Sequence, residues 1–173
     1  MKPRNILSIA LLPLLMLFMQ HCDDPLTELE KLPKATQSGK DTFGCLVNGK
    51  AWVSRFGGQA FYQTGTLGID AGASNNVFSA IMSFHVFDLD LTTTTYQLSE
   101  KLNQADNEYA RYYDHNTDCE YFTTDIYKGA LTIKHLDKVN FIISGNFELE
   151  FFSVDCSKVL KVTDGRFDMH YAP

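Results

Sequence analysis

Three groupings of polar side chains in this 173-residue chain have types and spacings that chemistry can use. Asp114, Asn116 and Asp118 in DHNTD match the opening spacing of an oxygen-ligand calcium loop, and Asp125 falls at its twelfth position. Such a loop needs glycine at its sixth position for the sharp turn, and Cys119 stands there, so a solvated loop outranks a cation site. His85, Asp88 and Asp90 in HVFDLD join an imidazole to two carboxylates, groups that ligate metals or move protons. At a strand end the same residues make a polar edge. Tyr109, Arg111, Tyr112, Tyr113 and His115 form an aromatic and cationic run whose flat rings suit a sugar or a peptide, giving contact area at small entropic cost. Sheet packing is the competing use of those tyrosines. No metal and no cofactor is assigned, and the tyrosine run is the candidate binding surface for a glycan or peptide ligand.

Compact catalytic signatures are missing: there is no GxSxG, no HExxH, no phosphate-binding glycine pattern and no CxxC. The expectation is therefore a non-catalytic binding or interaction module. Paired carboxylates leave no compact signature, so an extracytoplasmic glycan-active enzyme is one alternative. A small-ligand carrier barrel is another, and it requires a large internal cavity.

Strands must position these groups. With 45% hydrophobic and 21% charged residues the chain suits one well-buried domain. Eight Tyr and thirteen Phe with a single Trp favour strands, and no long run keeps a 3.6-residue apolar period. The most regular stretch is Leu131 to Phe151, read as a hairpin turning near Asp137. On its second strand Phe141, Ile143, Phe147, Leu149 and Phe151 share one parity, and Ser144, Asn146, Glu148 and Glu150 the other, which puts one row on a core and one in water. Asn48-Gly49 predicts a two-residue hairpin pairing Val47 with Lys50 and Cys45 with Trp52. Asp164-Gly165 predicts another, pairing Val162 with Phe167, Leu160 with Met169 and Lys161 with Asp168. Further strand-like runs lie at Thr66 to Ala71, Phe78 to Val86, Thr92 to Leu98, Glu108 to Tyr113 and Tyr121 to Tyr127, while Ser99 to Asp106 reads as a helical turn or loop. The expected fold is all-β over 42–173: an antiparallel β-sandwich or partly closed β-barrel of about ten short strands.

The N-terminus reads as an address. Lys2 and Arg4 precede an apolar run, Ile6 to Met19, too short for a spanning helix and suited to a secretory signal over 1–21. Cys22 stands where a lipoprotein signal peptide is cut and the new terminal cysteine acylated, with Gln20 and His21 in place of the small residues usual before it. Residues 22–41 read as a flexible tether. Removing Lys2 and Arg4 from the 15 basic residues leaves 13 against 21 acidic ones, a net charge of −8. That charge excludes nucleic acid as a partner and leaves an N-terminal lipid, such as palmitate, as the link to the membrane.

The leader with its Cys22, the stretch LPKATQSGKDTFGCLVNGKAW (Leu32 to Trp52), LTIKHLD followed by NFIISGNFELEF, and VTDGRFDMHY near the C-terminus together resemble an uncharacterised family of Bacteroidota lipoproteins. Its members share a TFGCLVNGKxW opening and a TDGRFD exit. The resemblance implies a fold and a place at the outer membrane or cell surface, to which Asp23 and Asp24 after the cysteine also point. It brings no catalytic residue.

Three cysteines remain once Cys22 is assigned to lipid. Facing residues of the central hairpin should have numbers adding to roughly 274, and those of Cys119 and Cys156 add to 275, so these two are expected to meet, allowing for a bulge at Ser144-Gly145. A disulfide between them would leave Cys45 as a buried thiol opposite Trp52.

Overall fold

The computed structural model describes residues 25–55, 57–99 and 108–173. The leader over 1–21, Cys22, Asp23, Asp24 and the Ser99 to Asp106 segment beyond Ser99 itself lie outside the described residues. Among the described residues eleven strands follow one another: β1 (Thr42–Val47), β2 (Lys50–Val53), β3 (Gln59–Gln63), β4 (Thr66–Ser74), β5 (Ser79–Phe87), β6 (Thr95–Leu98), β7 (Tyr109–Asp114), β8 (Cys119–Phe122), β9 (Gly129–Asp137), β10 (Ile142–Ser153) and β11 (Lys158–Ala172). The fold is all-β, as the alternation of apolar and polar residues requires.

Two blocks of strands share one continuous sheet. One runs β6-β9-β10-β11-β1-β2 and the other β3-β4-β5-β7-β8. They join at two thin seams: Phe152 of β10 pairs with Phe122 of β8, and Tyr171 and Ala172 of β11 pair in parallel with Ala60 and Phe61 of β3. The result is a partly closed ring. The blocks face each other across a core in which the Phe84 ring of β5 lies 4.9 Å from that of Phe147 and 6.0 Å from that of Phe43. Trp52, Phe43, Phe84, Phe147 and Phe151 are fully buried. Burying a side chain of that size contributes roughly 1.5–3 kcal/mol, so a filled centre is the stable outcome. Aromatic rings therefore occupy the space that the carrier-barrel alternative would need for its ligand.

The first hairpin is as expected: Asn48 has φ 48° and Gly49 φ 77°, and Val47 pairs with Lys50 and Cys45 with Trp52. The second is not a hairpin. Lys158 to Ala172 is one strand, and Asp164 (φ 55°) is an extra residue bulging from it. On one side Gly44 and Leu46 face Arg166 and Thr163; on the other Phe147 and Leu149 face Gly165 and Val162. One inserted residue reverses the facing of every later side chain, so a bulge produces the same switch of apolar parity, Val162 to Phe167, that suggested a turn. Lys161 pairs with Glu150, and Asp168 with Thr42 and Ser144.

The central hairpin turns at residues 138–141, later than expected, and Phe141 sits in that turn with φ 54°. Ile142 pairs with Asp137 and Leu149 with Gly129, with a register shift at Ser144/Gly145. Gly145 is required there, since a Cβ would stand 2.0 Å from the Thr132 carbonyl oxygen. Cys119 and Cys156 are disulfide-bonded and Cys45 is a buried free thiol.

The 22–41 stretch, read as a tether, is docked where it is described. Glu28 accepts the Ala51 N–H on the edge of β2 at 2.7 Å, Leu32 is buried, and Thr36 to Lys40 converge on Asp168. Composition suggested freedom because the segment is polar and carries Pro25, Pro33 and Gly39, but its backbone N–H groups find a buried carboxylate. Among the described residues no helix is long and apolar enough to cross a membrane.

Candidate functional site

Strand alternation divides the tyrosine run between two faces. Tyr112 points into the core, 2% exposed, against Tyr121 and Phe151, so it is removed from the candidate surface. Tyr109, Arg111 and Tyr113 share the outer face. Tyr109 stacks on His85 with centroids 4.7 Å apart and planes 14° from parallel, and Arg111 pairs with Glu120. The Tyr113 hydroxyl donates to Asp118, which raises its pKa, and His115 meets the Tyr113 ring edge-on from the following turn. Four of the five residues thus border one patch, already engaged in contacts of its own.

The metal candidates do not assemble. Asp114 accepts the Asn116 N–H and the Thr117 hydroxyl and Asp118 accepts from Tyr113, while Asp125 follows β8 in a separate loop. His85 lies on the sheet face, its pKa lowered by burial. Asp88 accepts from Tyr96, and Asp90 pairs with Lys138 at 3.1 Å.

A groove of about 610 Å³ lies elsewhere, on the outer face of β9, β10 and β11. Its wall is the N-terminal arm at Ala35, Thr36 and Gln37. Its floor carries Thr132 and Lys134 of β9, Ser144, Asn146 and Glu148 of β10, and Asp164 and Arg166 of β11. The register orders these groups: Glu148 stands opposite the Asp164 bulge, Asn146 lies between Thr132 and Arg166, and Ser144 pairs with His135 beside Lys134. Both carboxylates are at one end and Lys134 at the other. Among the described residues neither Lys134 nor Glu148 has an ion-pair partner, and the Arg166 guanidinium donates only to backbone carbonyls, of Asp164 and Pro33. The Ser144 hydroxyl is buried with no hydrogen-bond partner. Leaving such a group unpaired costs about 1–3 kcal/mol, and with almost no accessible surface it lies under the groove floor.

Asp168 holds the arm that makes the wall. Its carboxylate, 1% exposed, accepts the Thr36 hydroxyl at 2.5 Å and the N–H groups of Ser38, Gly39 and Lys40 at 3.0, 2.8 and 3.2 Å. Burial pushes its pKa up, but these hydrogen bonds favour the charged form and outweigh burial, so the pKa lies below the ordinary aspartate value. No local pattern announces this groove, because the row Ser144, Asn146, Glu148 reads as a plain solvent face until the arm is seen crossing beside it.

A family model described as a domain of unknown function (DUF6252) matches residues 40–169. No curated protein and no solved structure matches the chain.

Proposed function

The chain belongs to the DUF6252 family, and on that footing we propose that it is a lipid-anchored envelope protein of the outer membrane or cell surface whose domain is a non-catalytic binding module. The observation that carries the binding reading is the groove, where Lys134, Glu148 and the Ser144 hydroxyl stand without partners on rigid strands. A volume of that size, walled on one side and floored by convergent polar groups, is typical of a site for a small ligand such as a short glycan or peptide. The lipid is placed at Cys22, on the strength of the leader before it and the acidic pair after it.

Two measurements test the parts separately. Cys22→Ser should move the protein from the membrane pellet to the soluble fraction; retention in the pellet would refute acylation at that residue. A glycan and peptide screen on the full chain in detergent should return a ligand whose binding is lost in Asn146→Trp, which fills the groove. A ligand unaffected by that substitution would place the site elsewhere. Hydrolysis of a bound glycan, abolished by Glu148→Gln, would replace the binding reading with the enzymatic one, since glycosidases work through two carboxyl groups and Asp164 lines the same groove as Glu148.

A further inference from the structure

Apart from Arg166, whose guanidinium is held by the Asp164 and Pro33 carbonyls, charge in the groove is sorted along the strand axis. Glu148 and Asp164 meet at one end, where the bulge in β11 sets the Asp164 side beside Glu148. Arg166 lies one row further, opposite Asn146, and Lys134 lies at the far end with Ser144. Glu148 and Ser144 are four residues apart on β10, about 13 Å at the rise of an extended strand. Opposite charges held apart on a rigid sheet, with no ion pair between them, present two separate demands: a cation at the acidic end and an anion at the basic end. A neutral oligosaccharide answers neither. From this arrangement we infer that the groove binds a short peptide of three or four residues with both termini free, its ammonium at Glu148 and Asp164 and its carboxylate at Lys134.

Length and polar lining agree with that occupant. An extended chain of four residues spans about 13–14 Å, the separation of the two charged ends. The Asn146 amide lines the middle row beside Thr132, whose hydroxyl is shared with Thr95, where donors and acceptors of a peptide backbone would lie. Ser144 is the fully buried member of the set and lies beneath the basic end, its hydroxyl without a partner. The arm at Ala35 to Gln37 runs along one side and closes the groove laterally. The inference rests on the groove being the binding site and adds the chemistry of what fills it.

The test is isothermal calorimetry on the full chain in detergent micelles, with tetra-alanine as probe beside its N-acetylated and C-amidated forms and a neutral tetrasaccharide. Free tetra-alanine should bind, and blocking either terminus should weaken binding about tenfold or more, the worth of one hydrogen-bonded charge. Glu148→Gln should weaken the free peptide by a similar factor and leave the acetylated one unchanged, and Lys134→Gln should do the same for the amidated one; both side chains are on a strand surface, so neither change threatens folding. Equal binding of free and blocked peptides, or no binding of tetra-alanine in the millimolar range, overturns the inference. If the tetrasaccharide binds instead and Asn146→Trp abolishes it, the peptide assignment falls and the groove remains the site. If a ligand binds Asn146→Trp as well as wild type, the groove itself is lost.

Discussion

Replacing Asp168 by Asn removes the charge on which the arm converges and turns one of its two acceptor oxygens into a donor. Oδ2 takes the Thr36 hydroxyl and the Lys40 N–H, Oδ1 takes the Gly39 N–H, and Ser38 is shared between them. Whichever way the new amide turns, its NH₂ group faces a backbone N–H that cannot rotate away. Each hydrogen bond to a charged acceptor is worth about 1.5–3 kcal/mol, and at least one is lost outright while the others weaken. The cost has a ceiling, because an arm that lets go returns its N–H groups to water. A loss of about 2–4 kcal/mol follows, or a fall in Tm of about 5–15 °C for a chain of this size. Urea denaturation of the Cys22→Ser protein measures the first, and amide exchange at Ser38, Gly39 and Lys40 locates it. The sign with pH is set by the lowered pKa: the carboxylate stabilises fully above the ordinary aspartate value of about 3.9 and ceases to as pH falls through the lower folded-state value. The gap between wild type and variant should therefore close in acid. An Asp168→Asn protein within about 0.5 kcal/mol of wild type, its three arm amides still protected, would refute the account of the arm.

Cleaving the Cys119–Cys156 disulfide, or replacing both cysteines by alanine, should lower stability by about 4 kcal/mol on the chain-entropy estimate for a separation of 37 residues, read as a shift in urea midpoint. Non-reducing peptide mapping should find that pair and no link to Cys45. In the Cys22→Ser protein the Cys45 thiol, its pKa raised by burial, should resist a thiol reagent near neutral pH until denaturant is added; rapid reaction of folded protein would contradict its place opposite Trp52.

Much of the fold could be read from residue order, because alternation over β5, β10 and the first hairpin reflects a single buried face. What misled was chemistry shared by two structures. Asp164-Gly165 carries the same left-handed preference as Asn48-Gly49, yet one sits in a strand and the other in a turn; only the partners on both sides, β1 and β10, distinguish them. The cysteine pairing was expected from a hairpin register that is off by five residues near its turn and by four beyond the Ser144/Gly145 shift. It met the right partner because the loop between β8 and β9 takes up that difference, so Phe122 faces Phe152 as the original arithmetic requires. The candidate site was less legible. Tyr112 and Tyr113 had to lie on opposite faces of one strand, which alternation alone could have shown. The groove depends on a contact between residues 36–40 and Asp168, about 130 positions away, for which no local pattern exists.

The clamp on Asp168 also has a mechanical side. Traction arriving from the N-terminal direction meets the Glu28 contact with the Ala51 N–H and the buried Leu32 first, then Thr36 to Lys40, and only then β1. A pull on the leading segment is thus met by two successive sets of contacts, on β2 and on Asp168 of β11, that can give way and re-form before β1 is peeled from its partners. The arm behaves as a strain relief at the point where a cable enters its housing, and once the Glu28 contact yields, such a pull would next disturb the wall of the groove.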